Sequence, residues 1–335
     1  MAPAGYKLTG GLSAAGRTSA DLMIEAADDV TWLVKVHVIA GGEGPTLLLT
    51  GALHGDEYEG PIALTRLARE LAPSTLRGRV IIVPVVNTSA MAARSRCSPL
   101  DNLDLNRCFP GEADGSPSRR LAHAISQALL PEADIVIDCH SGGTAMTYIP
   151  CAMMHPLAEP AIRRRTLDLI SAMQLPAAVV IDETDKPGMF DTLVESQGKL
   201  FVCCELGGGG VSPETVAIAE QGLRNALIHL RMIDGSPVTA LWRGRREARL
   251  LEVPDLGFAS AATVAGLFEP IRELGDIVRA GESLAMIHPE KGDGEPIPVV
   301  SPRDGMLFVR RATGRIEAGQ RATLVARACS SAREE

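Results

Sequence analysis

Four short polar segments, each near the end of an apolar run, carry the side chains of this sequence that are best placed for chemistry. His54-Gly55-Asp56-Glu57 follows the run 46–53, and Asn102-Leu103-Asp104-Leu105-Asn106-Arg107-Cys108-Phe109-Pro110-Gly111 comes after the run 79–87. Asp138-Cys139-His140-Ser141 follows 133–137, and Glu205 follows 199–204. A His and a Glu three apart, joined by a distant second His, supply two imidazoles and one carboxylate. That is the donor set of a catalytic zinc site that keeps one position open for water or substrate. His54, Glu57 and His140 are therefore the candidate ligands of one Zn2+ per chain. A bare His-x-x-Glu arises often by chance, but here it stands at a strand end, with Gly51 and Gly55 allowing close backbone approach. The competing possibility is a solvated loop at 54–57 beside a hydrogen-bonded Asp138–His140 pair, which leaves the other two segments unexplained. Asp138, two before His140, points to the same side of a strand and suits the oxygen that takes a ligand imidazole's second N–H.

The remaining segments supply the parts of an amide hydrolase. Arg107 offers a planar fork suited to a carboxylate, and Asn106 adds a neutral donor beside it. Arg96, in Arg94-Ser95-Arg96-Cys97-Ser98-Pro99, lies on the same long loop and can polarise a scissile carbonyl; Arg94 competes for that role, and both also suit the surface. Asp104 fits the orienting of an arginine. Glu205 ends an apolar strand and precedes Leu206-Gly207-Gly208-Gly209-Gly210, so its carboxylate is partly desolvated, which favours the raised pKa of a proton shuttle. The glycine run lacks a following Lys-Ser/Thr and is no phosphate loop. The chemistry implied is metal-promoted attack of water on an amide, with Glu205 moving the proton and Arg96 on the oxyanion. Further along, the loop 182–188 carries Glu183 and Asp185, which can neutralise a cationic substrate side chain or simply face water. Tyr58 and Tyr148 stand near the site in sequence. His37 reads as a strand residue, His123 and His229 as helix residues, His155 as a loop residue before Pro156, and His288 as part of a C-terminal β region.

These segments need a scaffold, and the chain is long enough to build one. With 335 residues, two domains are expected. The net charge is -8 without any Lys/Arg block, which argues against nucleic acid or an anionic membrane as partner. Neither a leader-like N-terminus nor an apolar run of membrane-spanning length is present, and the seven scattered cysteines suit a reducing cytoplasm rather than a disulfide framework. Cys139, Cys203 and Cys204, inside apolar runs, are expected as buried thiols. Leu47-Leu48-Leu49 and Val80-Ile81-Ile82-Val83 are continuous rather than alternating, as strands covered on both faces are. Between them Pro61 opens a helix whose Leu64, Leu67, Ala68 and Leu71 share one face. Helices over 119–130, 159–173, 190–195 and 217–232 and strands over 178–181 and 200–204 continue the alternation. The fold class is α/β, a doubly wound mixed sheet with helices on both faces. Ligands of such sheets lie beyond the carboxyl ends of strands, where all four segments fall. Residues 1–244 form this catalytic domain. Residues 245–330 change to short Gly-punctuated β runs with an internal repeat: Gly266-Leu267-Phe268 and Gly275 to Gly281 recur as Gly305-Met306-Leu307-Phe308 and Gly314 to Gly319. That pattern resembles a small all-β barrel-sandwich of the biotinyl/lipoyl kind. Lys291 lacks the flanks of a carrier lysine, so a structural role is expected.

Taken together, the motifs resemble the succinylglutamate desuccinylase/aspartoacylase family, zinc enzymes on a carboxypeptidase-like fold that remove acyl groups from N-acylated amino acids. The resemblance spans nearly the whole chain. It implies that His54, Glu57 and His140 hold zinc, that Asn106 and Arg107 grip the substrate carboxylate, that Glu205 is the acid–base, and that Arg96 is the oxyanion arginine. Within the family, His-Gly-Asp-Glu-Tyr-Glu-Gly-Pro at 54–61, Ser-Pro-Leu-Asp at 98–101 and Glu-Leu-Gly-Gly-Gly-Gly at 205–210 resemble the ectoine-catabolism branch, which deacetylates N2-acetyl-L-2,4-diaminobutanoate. Asp104 and Cys139 differ from that branch's pattern, so an N-acetylaspartate-like or succinylglutamate-like substrate stays open. A peptide carboxypeptidase is a further alternative, as is a metal-binding or carrier protein without turnover, although Glu205 is not needed to hold zinc. The expectation is a cytoplasmic enzyme acting on a small N-acyl amino acid, with homo-oligomer formation left open.

Overall fold

Strands with apolar side chains at every position belong in the middle of a sheet, and the two continuous runs of this chain lie side by side there. The structure is a computed structural model, and it describes residues 5–25, 31–182 and 187–329. An antiparallel meander of β1 (Tyr6–Thr9), β2 (Gly16–Glu25) and β3 (Thr31–Ala40) forms one margin. The chain then runs through β4 (Gly42–Gly51), α1 (Glu59–Glu70), β5 (Arg77–Val83), α2 (Thr88–Ala93), α3 (Pro117–Ala128) and β6 (Ile135–His140). After these come β7 (Met146–Tyr148), β8 (Cys151–Met154), α4 (Pro160–Ala172), β9 (Ala177–Ile181), α5 (Phe190–Ser196), β10 (Leu200–Glu205), α6 (Pro213–His229) and β11 (Arg249–Val253). The spatial order is β1-β2-β3-β5-β4-β6-β10-β8-β9-β11. Strands β5, β4, β6 and β10 are parallel, β8 runs against β10, and β9 and β11 follow β8.

The connection that leaves β4 runs through α1 to β5 on one side, and the chain that leaves β6 runs to β8, β9 and β10 on the other side. The crevice beyond the carboxyl ends of β4 and β6 is thus a topological switch point, the place where open α/β sheets bind ligands. Register brings the chemistry to one level: Thr50 pairs with Asp138, Gly51 with Cys139, and Glu205 with His140. Helices α1, α4 and α6 cover one face through Leu64, Leu67, Ile170 and Leu223. Helices α3 and α5 cover the other through Leu121, Ile125, Phe190 and Val194. Helix α1 begins at Glu59 rather than at Pro61, and the proline sits in its first turn, where the missing N–H has no helical partner to lose.

The C-terminal strands are β12 (Ala259–Ala261), β13 (Gly266–Pro270), β14 (Ile277–Val278), β15 (Ser283–His288), β16 (Ile297–Val300), β17 (Gly305–Arg311), β18 (Arg315–Ile316) and β19 (Arg321–Ala328). The two sequence repeats pair with one another by exchange: β14 of the first lies against β17 of the second, and β18 of the second against β13 of the first. One layer reads β16-β15-β13-β18. The other continues from the large sheet through β19 on β11, and its β17 also takes up β7, the short strand that follows β6. Lys291 lies exposed in the turn between β15 and β16. Among the described residues no helix is long and apolar enough to cross a membrane.

Leu48, in the middle of β4, has no exposed surface. Leu48→Ala is expected to lower the unfolding free energy by about 3 kcal/mol or more, the transfer term plus a cavity that a strand packed on both faces cannot collapse. Urea denaturation reads this; a loss below about 1 kcal/mol would contradict the packing of β4.

Candidate active site

The turn from β4 into α1 carries the first cluster. Ala52 takes a left-handed φ of 52° as the chain leaves the strand. Gly55 rests so closely on α2 that a Cβ there would lie 1.9 Å from the Ala90 carbonyl carbon. Only glycine permits this approach, and it folds His54 and Glu57 back toward one point. His54 Nδ1 lies 2.8 Å from Glu57 Oε1, and His140 Nδ1, at the end of β6, lies 2.9 Å from Glu57 Oε2. The two Nδ1 atoms are 3.2 Å apart, and all three residues are buried. Each imidazole is held from behind: His140 Nε2 by Asp138 Oδ2 at 2.8 Å, His54 Nε2 by Asp104 Oδ1 at 3.0 Å. Thr50 donates to the other Asp138 oxygen at 2.7 Å.

These partners decide what the centre can hold. A carboxylate behind each Nε2 selects the tautomer with the proton on that nitrogen, which turns the Nδ1 lone pairs inward. Two lone pairs and a carboxylate then face one another, an all-acceptor arrangement that is satisfied only by a cation. Two histidines and one glutamate, enclosed as they are here, fit zinc. Until a metal takes that place, the carboxylates around His140 favour a proton there instead. Burial alone would raise the Glu57 pKa, but the two imidazoles outweigh it and bring it down to about 2. Burial would lower that of His140, but Asp138 and Glu57 outweigh it and hold it well above the ordinary histidine value. Asp104 is likewise held well below the usual carboxylate range: burial opposes ionisation, while His54, Arg96 and Arg107 favour it.

The same segment braces its neighbours with the carboxylates that face away. Asp56 Oδ2 accepts from Thr144 N and Oγ1, both at 2.9 Å, and Glu59 Oε1 accepts from Gly208 N at 3.2 Å. The loops that follow β6 and β10 are thereby tied to α1.

A cavity of about 330 Å³ opens from this centre. His54, Glu57, Arg96, Asn106, Arg107, His140, Tyr148 and Glu205 all border it. Arg96 donates from Nε to Asp104 Oδ2 at 3.1 Å and brings Nη1 to 3.8 Å from Glu57. Arg94, in the left-handed position that ends α2, does not border the cavity. Asn106 Oδ1 accepts from Phe190 N at 2.8 Å, and Arg107 donates to the Asn106 carbonyl at 2.6 Å. Below them Phe109 stacks on Phe190, which meets Phe201 edge-on, locking the 102–111 segment to α5 and β10. Glu205, half-buried, ends β10 beside His140, and Leu206 N donates to the His140 carbonyl at 2.9 Å. Tyr58 borders a separate hollow with Asp56 and Glu59. Glu183 and Asp185 lie outside the described residues.

Three cavity residues had no signal in the sequence. His155 follows β8, and Asp191 and Glu195 lie one turn apart on α5. His155 Nδ1 is 2.9 Å from Glu195 Oε2, and its Nε2 is 4.0 Å from Asp191 Oδ2. His155 is therefore a cavity residue and not merely a loop histidine. Met153, Met154, Met189 and Phe201 give the space an apolar side, and Leu256 and Arg321 close it from the β-rich C-terminal part. Cys203 is half-buried and also faces this space, unlike the enclosed Cys139 and Cys204; all seven cysteines are free.

A mixed α/β sheet whose switch point gathers such groups defines a hydrolase of the carboxypeptidase-like class. Residues 43–230 match the succinylglutamate desuccinylase/aspartoacylase catalytic domain, and the chain belongs to that family of amidohydrolases. It is 40% identical over 309 residues, 91% of this chain and 89% of the other, to the N-alpha-acetyl-L-2,4-diaminobutyric acid deacetylase of Halomonas elongata. The crystal structure of a succinylglutamate desuccinylase/aspartoacylase from Rhodobacter sphaeroides matches with a TM-score of 0.90 at 36% identity, covering 96% of this chain and 98% of that one. The product-bound ectoine utilization protein EutE (DoeB) from Ruegeria pomeroyi matches with a TM-score of 0.90 at 37% identity and the same coverage, 96% and 98%.

His54→Ala and His140→Ala are each expected to abolish stoichiometric metal binding. Asp138→Asn should keep the metal but weaken it about 10- to 100-fold, as loss of an imidazole's supporting carboxylate does. Elemental analysis and chelator competition measure both, and wild-type metal content in His140→Ala would overturn the assignment.

Proposed function

We propose that this chain is a zinc-dependent deacylase of N-acyl amino acids, and that it deacetylates N2-acetyl-L-2,4-diaminobutanoate in ectoine breakdown in the cytoplasm. The observation that carries this reading is the sharing of one cavity by the His54-Glu57-His140 acceptors, the Asn106-Arg107 pair and the Glu205 carboxylate. The likeness to the Halomonas elongata deacetylase supports the choice of acyl group and amino acid.

A zinc ion held by His54, Glu57 and His140 supplies Lewis acidity toward the amide carbonyl and toward water. The chain's own residues do the rest. Arg107, with the Asn106 amide beside it, receives the α-carboxylate and sets the scissile amide over the centre. Arg96, anchored on Asp104, presents N–H groups where the carbonyl oxygen gains charge. Glu205 accepts a proton from the attacking water and passes it to the leaving nitrogen, and the acid and amine so formed leave as carboxylate and ammonium. Asp104 and Asp138 keep both imidazoles in the tautomer this requires.

Glu205→Gln is expected to keep fold and metal while lowering kcat by about 10²- to 10⁴-fold. A kcat near wild type would remove Glu205 from proton transfer. Arg107→Lys should act mainly on KM, because an ammonium cannot reproduce the two-pronged grip; an unchanged KM with a collapsed kcat would move Arg107 to the oxyanion. Amine release from a panel of N-acetyl amino acids and short peptides tests the class, and cleavage of the peptides alone would make the protein a carboxypeptidase.

A further inference from the structure

Resting on that deacylase reading, we propose that Asp191 and Glu195, with His155 positioning Glu195, form the subsite for the substrate's side chain and select a short cationic one. Two carboxylates four apart on a helix share a face and repel each other. Here both are enclosed, with side-chain exposures of 11% for Asp191 and 10% for Glu195. Burying like charges together in the wall of a cavity is costly, and His155, 2.9 Å from Glu195 Oε2 and 4.0 Å from Asp191 Oδ2, can bring at most one positive charge to the two carboxylates. Burial also pushes the Asp191 pKa up, against the pull of nearby His155.

The spacing points to the kind of cation. Among the described residues, His54, Glu57 and His140 are the group whose ligand atoms converge to within 4.8 Å, and His155, Asp191 and Glu195 are not such a group. They surround no metal-sized point. Asp191 Oδ1 is occupied by Thr192 N and Oγ1, while Oδ2 stands 4.0 Å from His155 Nε2, beyond hydrogen-bond reach. An ammonium, with three donors, suits such a divided set of acceptors.

The position fits a short side chain. Phe190 N donates to Asn106 Oδ1, so Asp191 follows directly on the residue that anchors the carboxylate-binding pair. The cavity lining therefore carries both polarities, Arg96 and Arg107 together with Asp191 and Glu195. An N-acyl diamino acid with its carboxylate on Arg107 presents its ammonium a few ångströms away, while an N-acyl dicarboxylic acid would bring a second negative charge to the carboxylates and be rejected.

The test compares N2-acetyl-L-2,4-diaminobutanoate with N2-acetyl-L-2-aminobutanoate, which has the same carbon chain and lacks the amine. The ratio of their kcat/KM values in the zinc-loaded enzyme is expected to fall about 10-fold or more in Asp191→Asn and in Glu195→Gln, the effect of losing a charge-assisted hydrogen bond. An unchanged ratio in both variants overturns the proposal, whether or not overall activity drops. Calorimetry gives a second readout: wild-type protein should bind L-2,4-diaminobutanoate about 10-fold or more tightly than L-2-aminobutanoate, and Glu195→Gln should lose that preference even if Asp191→Asn fails to fold. A wild-type enzyme that hydrolyses both substrates equally overturns the subsite and leaves the deacylase reading standing. One that hydrolyses neither overturns the deacylase reading itself.

Discussion

His54, Glu57 and His140 present two inward lone pairs and a carboxylate to one buried point, at separations of 2.8 to 3.2 Å. Acceptors so arranged repel unless a cation sits among them, so the surrounding fold must hold them against that repulsion. The burden is spread over several elements. Asp104 and Asp138 grip the far side of each ring, Thr50 grips Asp138 from the neighbouring strand, and the Gly55 turn is pressed onto α2 where no Cβ fits. The parallel register of β4, β6 and β10 then sets Thr50 level with Asp138 and Glu205 level with His140. A one-residue slip of β6 would turn His140 to the opposite face and leave the other two groups without a third.

The segment that carries the first His and Glu has a second duty. Its residues alternate between the centre and the loops behind it, since Asp56 holds Thr144 and Glu59 holds Gly208. The glycine-rich stretch after Glu205 is thus tied down at its start, and Gly208 approaches the Gly142 backbone so closely that a Cβ would stand 2.6 Å away. Its glycines serve close packing between strand-end loops. The C-terminal β part takes the same logic further. By pairing β17 with β7 and β19 with β11, it brings Leu256 and Arg321 to the cavity and completes a wall that the α/β sheet lacks.

Polarity within the cavity is distributed by element. Arg96 and Arg107 arrive on the long stretch between β5 and β6, the Glu205 carboxylate on β10, and a further pair of carboxylates on α5. The Phe109–Phe190–Phe201 cluster joins these three sources. In a chain with only six phenylalanines, placing three of them under the site gives the loop-borne groups a rigid seat.

Much of this is legible in the sequence alone. The α/β alternation, the strand ends that carry the site, the His-Glu-His set and the strand-terminal Glu205 all follow from local patterns, because continuous apolar runs and metal-donor spacing are properties of short segments. The repeat at 266 and 305 was visible for the same reason, though its exchange of strands was not. What the tertiary structure decided involves partners far apart in sequence. Arg96 rather than Arg94 faces the cavity because Asp104, itself held by His54, reaches one and not the other. His155, from the end of β8, has no spacing that joins it to Asp191 and Glu195 of α5. Only the sheet order, which lays β8 beside β10, and the packing of α5 against β10 bring them to one cavity, and sheet order is set by long-range burial rather than by any local run of residues.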